Sequence, residues 1–462
     1  MSGLISRLKQ QYQRLCKNLL IGLSITTAEI NEISKGRILN KADQLVERSA
    51  KSMFIDIWAD LISVLKEMNS VDRGLHVFWL LGPFILLIER SPADIWLSTL
   101  AVVFVFRSLI NRDGAWLRAV WVWCCFIFLA ACLLSAASSS MSSYSTSEAL
   151  LWFRFPLFTM ATVFWLGQDK RLLYAMLVST ALGMILMTGI LSLELIVEGQ
   201  KGGRLTWPYG DKVSGNYLCK VGLPAFTVMV ALAVGAKPKL ANVMGVLSMI
   251  SIAISVFTGE RINFLIRACS GMLGALVWKP IFRRYFVLVA LEILAVSSVF
   301  VLFPSNQTRY VDSFIESLPL NVESSYYKTM AAGLEAAKDS PILGLGPASF
   351  RYICPRVIKT TSNLECDNHP HNFYIQLYSE TGILGLLAGS VMIISIIWAA
   401  FAGWRKNRAN VVAATAFVVP LGLFFPIQST ADFFGQWNNI FMWSAIALAL
   451  AAARTLTFER KK

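Results

Sequence analysis

Residues 117–137 have the sequence LRAVWVWCCFIFLAACLLSAA, with no charged side chain after Arg118. A helix needs about 20 predominantly apolar residues to cross the hydrocarbon core of a bilayer. Within that core the backbone N–H and C=O groups must bond to each other, which a helix achieves within a single segment. This stretch therefore predicts a transmembrane helix, and similar stretches recur along the 462-residue chain.

The overall composition agrees with a membrane protein. Hydrophobic residues make up 56% of the chain, charged residues 15%, and the mean hydropathy is +0.58. Such values exclude an ordinary soluble domain. The net charge of +14 could indicate a nucleic-acid partner, but the Lys and Arg residues lie between apolar segments. They are therefore interpreted as the basic loops of a membrane protein, with no nucleic-acid partner.

The apolar segments predict an all-α polytopic membrane protein with about twelve transmembrane helices. These lie near residues 75–89, 95–110, 117–137, 150–167, 172–197, 217–235, 239–257, 262–278, 285–303, 382–401, 410–427 and 438–453. The predicted organisation is an N-terminal segment (1–74), nine helices (75–303), a long loop (304–381), three helices (382–453) and a tail (454–462).

The orientation follows from the cations, because Lys and Arg in short loops stay on the cytoplasmic side. Alternate connections carry them, for example Lys170 with Arg171, and Arg405 with Lys406. Both termini are therefore predicted to be cytoplasmic and the loop 304–381 to lie on the opposite, periplasmic side. Apolar residues from Leu4 to Leu19 recur at helical spacing among cations, which predicts an amphipathic helix on the membrane surface rather than a cleaved signal peptide.

The long loop contains two of the three histidines, within the sequence DNHPHN at residues 367–372. Asn368 is a good N-cap and Pro370 is tolerated in a first turn, so a helix is predicted to begin here and run into the apolar segment at Gly382. If that helix is continuous, His371 lies about 16 Å beyond the apolar boundary. His371 is a candidate general base, and the alternatives are a structural histidine or a metal site with His369.

Two further segments on the same predicted side suggest an anion site. In the short turn TGER at residues 258–261, Arg261 opens a helix, where a cation opposes the helix dipole unless a bound anion shares the site. A phosphate would fit, although Arg261 could instead pair with Glu260 or extend to the interface. The segment 203–211 contributes Arg204, two aromatic residues and Asp211, a combination suited to a sugar.

Other polar residues carry weaker predictions. Arg154 and Lys220 lie inside apolar segments near their periplasmic ends, where an ionisable group is a functional candidate that can also reach the interface. Cys354 and Cys366 share the long loop, so a disulfide between them is plausible if the loop faces an oxidising compartment.

The His371-Asn372 pair, followed after nine residues by GILG at 382–385, resembles the signature of the O-antigen ligase and O-antigen polymerase family. The sequence SPILGLGP at residues 340–347 resembles the loop element that precedes the family histidine. The TGER turn resembles the family's arginine turn, and residues 429–438 resemble another segment found in family members. Together these similarities extend over residues 150–453.

The resemblance implies a membrane glycosyltransferase with a GT-C-like fold, no required metal or cofactor, and an undecaprenyl-diphosphate-linked glycan as donor. His371 takes the position of the essential histidine, while Arg261 and Arg204 take those of arginines that hold the diphosphate. Asn372, His369 and Asp211 are further candidate contacts to the substrate. The implied reaction is a single, inverting displacement at the anomeric carbon.

Several functions fit this resemblance. The leading hypothesis is transfer of O-antigen to lipid A-core. The alternatives are polymerisation of repeat units onto a growing glycan and transfer to a protein hydroxyl. A transporter or flippase also fits the number of spans, but no half-to-half repeat is visible and the polar groups gather at one surface.

Overall fold

The computed structural model describes residues 56–210, 214–312, 321–358, 363–426 and 432–457. The predicted amphipathic helix near the N-terminus and the candidate residue Asp211 lie outside these ranges. Within them the chain is helical, and the one β-bridge pairs Lys201 with Arg204. The residues from Asp60 onward form one compact unit.

Residues 56–66 are helical, and nineteen α-helical segments follow in the described residues. Helices α1 to α10 are Ser70–Leu80, Gly82–Ile85, Arg90–Ile110, Val120–Ser138, Ser142–Trp152, Arg154–Ala161, Lys170–Val197, Ser214–Asn216, Leu223–Gly235 and Pro238–Phe257. Helices α11 to α19 are Arg261–Val277, Phe282–Leu302, Pro304–Gln307, Ser325–Ala336, Phe350–Val357, Phe373–Lys406, Val411–Thr415, Val418–Leu423 and Gln436–Thr455. Short π-helical segments, Thr162–Leu166 and Tyr217–Val221, continue α6 and α8.

The described residues contain 7 helices long and apolar enough to cross a membrane, or 8 if a bent pair counts as one span. These are α3, α4, the run from α5 to Leu166, α7, α10, α12 and α16, with α8 and α9 as the pair bent by 61°. The chain is therefore a multi-pass, all-helical membrane protein. Four other predicted spans correspond to shorter or less apolar segments. The span 75–89 corresponds to α1 and α2 together, 262–278 to the 17-residue α11, 410–427 to the short apolar run Val411–Leu423, and 438–453 to α19. The count of about twelve stays a prediction.

Helix α19 forms the centre of the bundle. All of its residues from Asn438 to Ala453 are buried, and it contacts α6, α7, α16 and α18. Its second half is rich in alanine, so neighbouring backbones can approach closely. Peripheral α12 is the opposite case, since only Leu288, Glu292 and Val299 are buried on it. The apolar side chains on the outside of the bundle face lipid. An apolar residue in this fold is therefore not necessarily a buried one.

Helix α16 does not follow the predicted course. The backbone at Gly382 has φ 64° and ψ −168°, which kinks the helix. The estimate of a 16 Å rise from a continuous helix therefore does not apply. The kink interrupts the hydrogen bonds within α16. Ile383 N–H therefore donates to Pro341 O at 2.9 Å instead of to a carbonyl one turn earlier in the helix.

The segment that resembles the family's loop element occupies this kink. Leu345 N–H donates to Ser379 O at 3.0 Å, and Gly346 N–H donates to Glu380 O at 2.8 Å. The Glu380 side chain is buried and accepts from the backbone N–H groups of Ala348 and Phe350. The segment 340–347 and the kinked part of α16 at Gly382 thus form one structural unit, because backbone groups of each form hydrogen bonds with the other.

Substitution of Gly382 by Ala is expected to lower the free energy of unfolding by about 3 kcal/mol or more. The conformation at Gly382 is essentially restricted to glycine, and an added Cβ would lie 2.2 Å from Ile342 O and 2.5 Å from Leu343 N. Thermal unfolding of the purified protein measures the effect. The control is Gly189→Ala in α7, where nothing lies within 4 Å of the added carbon. That change should stabilise the helix slightly, so similar losses in both variants would contradict the interpretation.

Candidate functional site

His371 lies immediately before α16 rather than inside its first turn. The N-cap is Asn372, whose Oδ1 accepts from the backbone N–H groups of Tyr374 and Ile375 at 3.0 and 3.2 Å. His371 itself has φ 56°, a left-handed conformation that a helix cannot continue. The predicted helix start at Asn368 is therefore wrong, because the backbone reverses at His371 and a second asparagine caps the helix.

The cap is fixed from both sides. Asn372 Nδ2 donates to Pro426 O at 2.9 Å, and the Tyr374 hydroxyl donates to Phe424 O at 2.7 Å. Both acceptors follow α18, so this end of α16 is tied to a different part of the bundle. The arrangement orients the backbone of His371 by contacts that do not use its imidazole, which leaves the ring available for chemistry.

The imidazole of His371 contacts a carboxylate and two aromatic rings. Its Nε2 lies 3.0 Å from Asp367 Oδ2. The Tyr326 ring packs edge-on against it at 5.3 Å between centroids, and the His369 ring lies at 4.3 Å. Partial burial alone would raise the pKa of Asp367, but the hydrogen bond from His371 and the Asn368 N–H hold that pKa below its ordinary value of 3.8. Asp367 is thus an ionised acceptor at neutral pH.

An ionised Asp367 determines which nitrogen of His371 can act as a base. A carboxylate only accepts, so Nε2 must carry the hydrogen in this contact. In the neutral ring the lone pair then resides on Nδ1. Asp367 therefore serves the same purpose as the carboxylate in a carboxylate–histidine pair, holding one tautomer in one orientation.

Arg204 and Arg261, predicted from separate segments, are brought together with a third arginine, Arg309. Burial lowers the pKa of Arg309 first, and repulsion from the Arg204 and Arg261 guanidinium groups lowers it further. We refer to Arg204, Arg261 and Arg309 as the arginine cluster. Guanidinium groups placed close together repel one another, and an anion bound among the three would offset that repulsion.

The turn at residues 258–260 is the point at which the three segments meet. Arg309 Nε donates to Gly259 O at 2.7 Å, and Leu205 N–H donates to Phe257 O at 3.0 Å. Gly259 has φ 67°, and a Cβ on it would lie 2.7 Å from both Arg204 Cγ and Arg309 Nε. Only glycine allows this approach.

Two amide side chains align the loop of Arg204 with that of Arg309. Gln200 Nε2 donates to Asn306 Oδ1 at 3.0 Å, and Asn306 Nδ2 donates back to Gln200 Oε1 at 2.9 Å. The loop of Arg204 is also anchored by Glu194, a buried carboxylate that accepts from the N–H groups of Thr206 and Trp207. The arginine cluster is therefore held by hydrogen bonds between loops that are about 100 residues apart.

Tyr326 connects the arginine cluster with the histidine. It lies near enough to Arg309 to influence that guanidinium electrostatically, and its ring contacts His371 edge-on. Tyr326, near the start of α14, therefore has both the imidazole of His371 and Arg309 in its neighbourhood. The sequence pattern indicates neither Arg309 nor Tyr326 as a site residue, because the long loop has no periodicity that would place them.

The other predicted residues occupy more structural positions. Arg154 forms an ion pair with Asp94 at 3.0 Å. Lys220 donates to Asn216 Oδ1 at 2.5 Å and to Asn438 Oδ1. Among the residues that the structure describes, no group of three or more His, Cys, Asp or Glu side chains could hold a metal ion.

Cys354 and Cys366 form a disulfide with their Cα atoms 5.8 Å apart. The bond joins α15 to the segment that leads into Asp367. Because Asp367 contacts His371, the disulfide restrains the loop that supplies the carboxylate of the pair.

The sequence pattern did not single out Arg267, which is fully buried in α11 six residues after Arg261. Its guanidinium donates to the hydroxyls of Ser251 and Ser255, both at 2.6 Å, and lies over the Phe226 ring at 4.2 Å. These contacts join α10 to α11, the two helices that flank the turn of Gly259. A single cation inside the apolar segment 262–278 was the sequence signal for it.

The chain was compared with known proteins. Residues 246–389 match the family model described as O-Antigen ligase. The matched segment contains Arg261, Arg309, His371 and the kink at Gly382, whereas Arg204 lies before it. No curated protein matches the chain. The match to this family model confirms, for residues 246–389, the resemblance seen in the sequence.

Proposed function

We propose that this protein transfers a glycan from undecaprenyl diphosphate to lipid A-core at the periplasmic face of the bacterial inner membrane. The observation that carries the proposal is the convergence of Arg204, Arg261 and Arg309 beside a carboxylate-paired histidine. A diphosphate carries negative charge that is complementary to the arginine cluster, and guanidinium groups bind phosphate oxygens in a bidentate manner. The match to the O-antigen ligase family supports this substrate class over a transporter.

The reaction follows from the positions of the charged groups. The acceptor hydroxyl gives its proton to Nδ1 of His371, while Asp367 stabilises the imidazolium that forms. The hydroxyl oxygen attacks the anomeric carbon, and the bond from that carbon to the diphosphate oxygen breaks. The leaving undecaprenyl diphosphate retains the electron pair, and the arginine cluster offsets its developing charge. A single displacement inverts the configuration at the anomeric carbon.

The donor and base assigned here also fit a polymerase, whose acceptor is the end of a growing glycan. The same purified protein distinguishes the two activities. We expect lipid A-core, supplied with undecaprenyl-diphosphate-linked glycan, to gain glycan with unchanged activity in the presence of EDTA. Lengthening of the lipid-linked glycan without lipid A-core would assign the polymerase activity instead. Folded protein that forms neither product would refute both.

A further inference from the structure

A side-opening groove lies at the end of the bundle opposite His371. Helix α16 begins beside the histidine and extends 34 residues before it ends at Lys406, and α19 likewise ends at Thr455. The groove has a volume of about 450 Å³ and is formed by parts of α4, α16, α19 and the π-helical segment after α6. This volume is within the range of about 300–1,000 Å³ that is typical of small-molecule sites.

The groove exists because small side chains line it where four segments meet. Ala119, Ala399, Ala402 and Ala453 line the groove and contribute little side-chain volume to fill it. Its walls are otherwise apolar and aromatic, formed by Trp121, Phe164, Trp398 and Leu450. Trp398 is 63% exposed, so this side of the groove faces the lipid region rather than other parts of the protein.

The charged groups of the groove lie toward one end. Lys406 and Arg454, in the last turns of α16 and α19, line it together with Thr457. The Arg454 guanidinium lies over the Phe164 ring at 4.4 Å, which directs it toward the aromatic wall. The Asp113 carboxylate attracts the Arg454 guanidinium, but Asp113 does not line the groove. The two charged residues that line it are both cations.

The cationic end is also rigid. Thr455 Oγ1 donates to Gly167 O at 2.8 Å, and Asn407 Nδ2 donates to Leu456 O at 2.7 Å. These bonds attach the end of α19 to the segment after α6 and to the connection after α16. The end of α19 that carries Arg454 is therefore fixed beside the groove, so little conformational entropy of this helix end is lost when a ligand binds.

From these features we propose that the groove binds one anionic phospholipid, with its acyl chain against the aromatic walls and its phosphate at Arg454 and Lys406. An apolar channel that opens to the bilayer and ends in two cations is complementary to a lipid with a negatively charged headgroup. Basic pockets between transmembrane helices are known to select such headgroups. The site is separate from the arginine cluster and holds a structural lipid rather than a substrate.

Native mass spectrometry of the full-length protein tests the proposal with phosphatidylglycerol and phosphatidylethanolamine of the same acyl composition. Wild-type protein should bind its first molecule of phosphatidylglycerol more tightly than its first molecule of phosphatidylethanolamine. The Arg454→Gln variant should weaken phosphatidylglycerol binding roughly fivefold, as expected for loss of one cation near an anionic headgroup. Arg408→Gln is the matched control, because Arg408 stacks on Trp404 and does not line the groove. It should bind as the wild type does.

A second variant tests the apolar part of the groove without changing its charge. Ala402→Leu places a larger side chain in the channel and should weaken binding of both lipids. This variant tests lipid binding in the groove even if Arg454→Gln fails to fold. Unchanged phosphatidylglycerol binding in either folded variant would overturn the proposal, as would equal affinity of the wild type for the two lipids.

Discussion

The His371→Ala variant is expected to transfer glycan at a rate roughly 10²–10⁴-fold below that of the wild-type protein, which is the usual contribution of a positioned general base. The loss should appear in kcat, because the donor is held by the arginine cluster rather than by the imidazole. Product formation from purified protein, undecaprenyl-diphosphate-linked glycan and lipid A-core provides the measurement.

The fold should survive this substitution. The start of α16 is fixed by Asn372 and Tyr374, neither of which bonds to the imidazole. The unfolding temperature of His371→Ala should therefore remain close to that of the wild type. A variant that loses both activity and thermal stability would indicate a structural histidine, which is the alternative open at the sequence level.

Two neighbouring residues serve as controls for the tautomer. Asp367→Asn keeps the shape of the side chain but can no longer stabilise the imidazolium, so we expect an intermediate loss of rate. His369→Ala removes a ring that packs against His371, whereas the bond to Nε2 of His371 is made by Asp367. This variant should therefore retain more activity than either. If His369→Ala were the less active of the two histidine variants, the base assignment would be wrong.

The sequence contained the components of the site but not their connections. His371, Arg261 and Arg204 were predicted because each stands in a motif with a local signal. Their convergence depends on Gly259 and on the reciprocal bonds between Gln200 and Asn306. Such contacts join residues far apart in sequence, and no helical or strand periodicity records them. Arg309 and Tyr326 were missed for the same reason.

The fold shows a similar division between local and distant information. Apolar runs predicted most of the long helices, since the bilayer requires each to satisfy its own backbone. The kink at Gly382 was not predicted, because its cause is the segment 341–346, which bonds to the open backbone of α16. The helix start was misplaced at Asn368, since two asparagines could serve as the cap and only the left-handed backbone of His371 selects the second.

Substitution of Arg261 by Gln is expected to lower the rate of transfer by about 10²–10³-fold, as for the loss of one group that stabilises a developing anion. Arg204→Gln and Arg309→Gln should show losses in the same assay. Three groups that bind one diphosphate, as proposed, should show effects that are not additive in double variants. Competitive inhibition by undecaprenyl diphosphate should weaken in each variant, which separates donor binding from the role of His371.

Lys201→Gln is the matched control for the arginine variants. Lys201 lies three residues before Arg204 in the same loop, but its ammonium pairs with Glu198 at 2.6 Å. It should leave transfer and inhibition unchanged. An equal loss in this variant would mean that net positive charge on the loop, rather than a defined diphosphate site, supports the reaction.

The arginine cluster also makes a prediction about stability that a purely structural role would not make. Repulsion among three guanidinium groups destabilises the protein when no anion is bound. Removing one charge by Arg204→Gln should therefore leave the unfolding temperature of the substrate-free protein unchanged or raise it. Added undecaprenyl diphosphate should stabilise the wild type more than the variant, since a ligand stabilises only the state that binds it. A lower unfolding temperature without ligand, together with equal stabilisation by ligand, would show that the arginines hold the loops together and do not hold the donor.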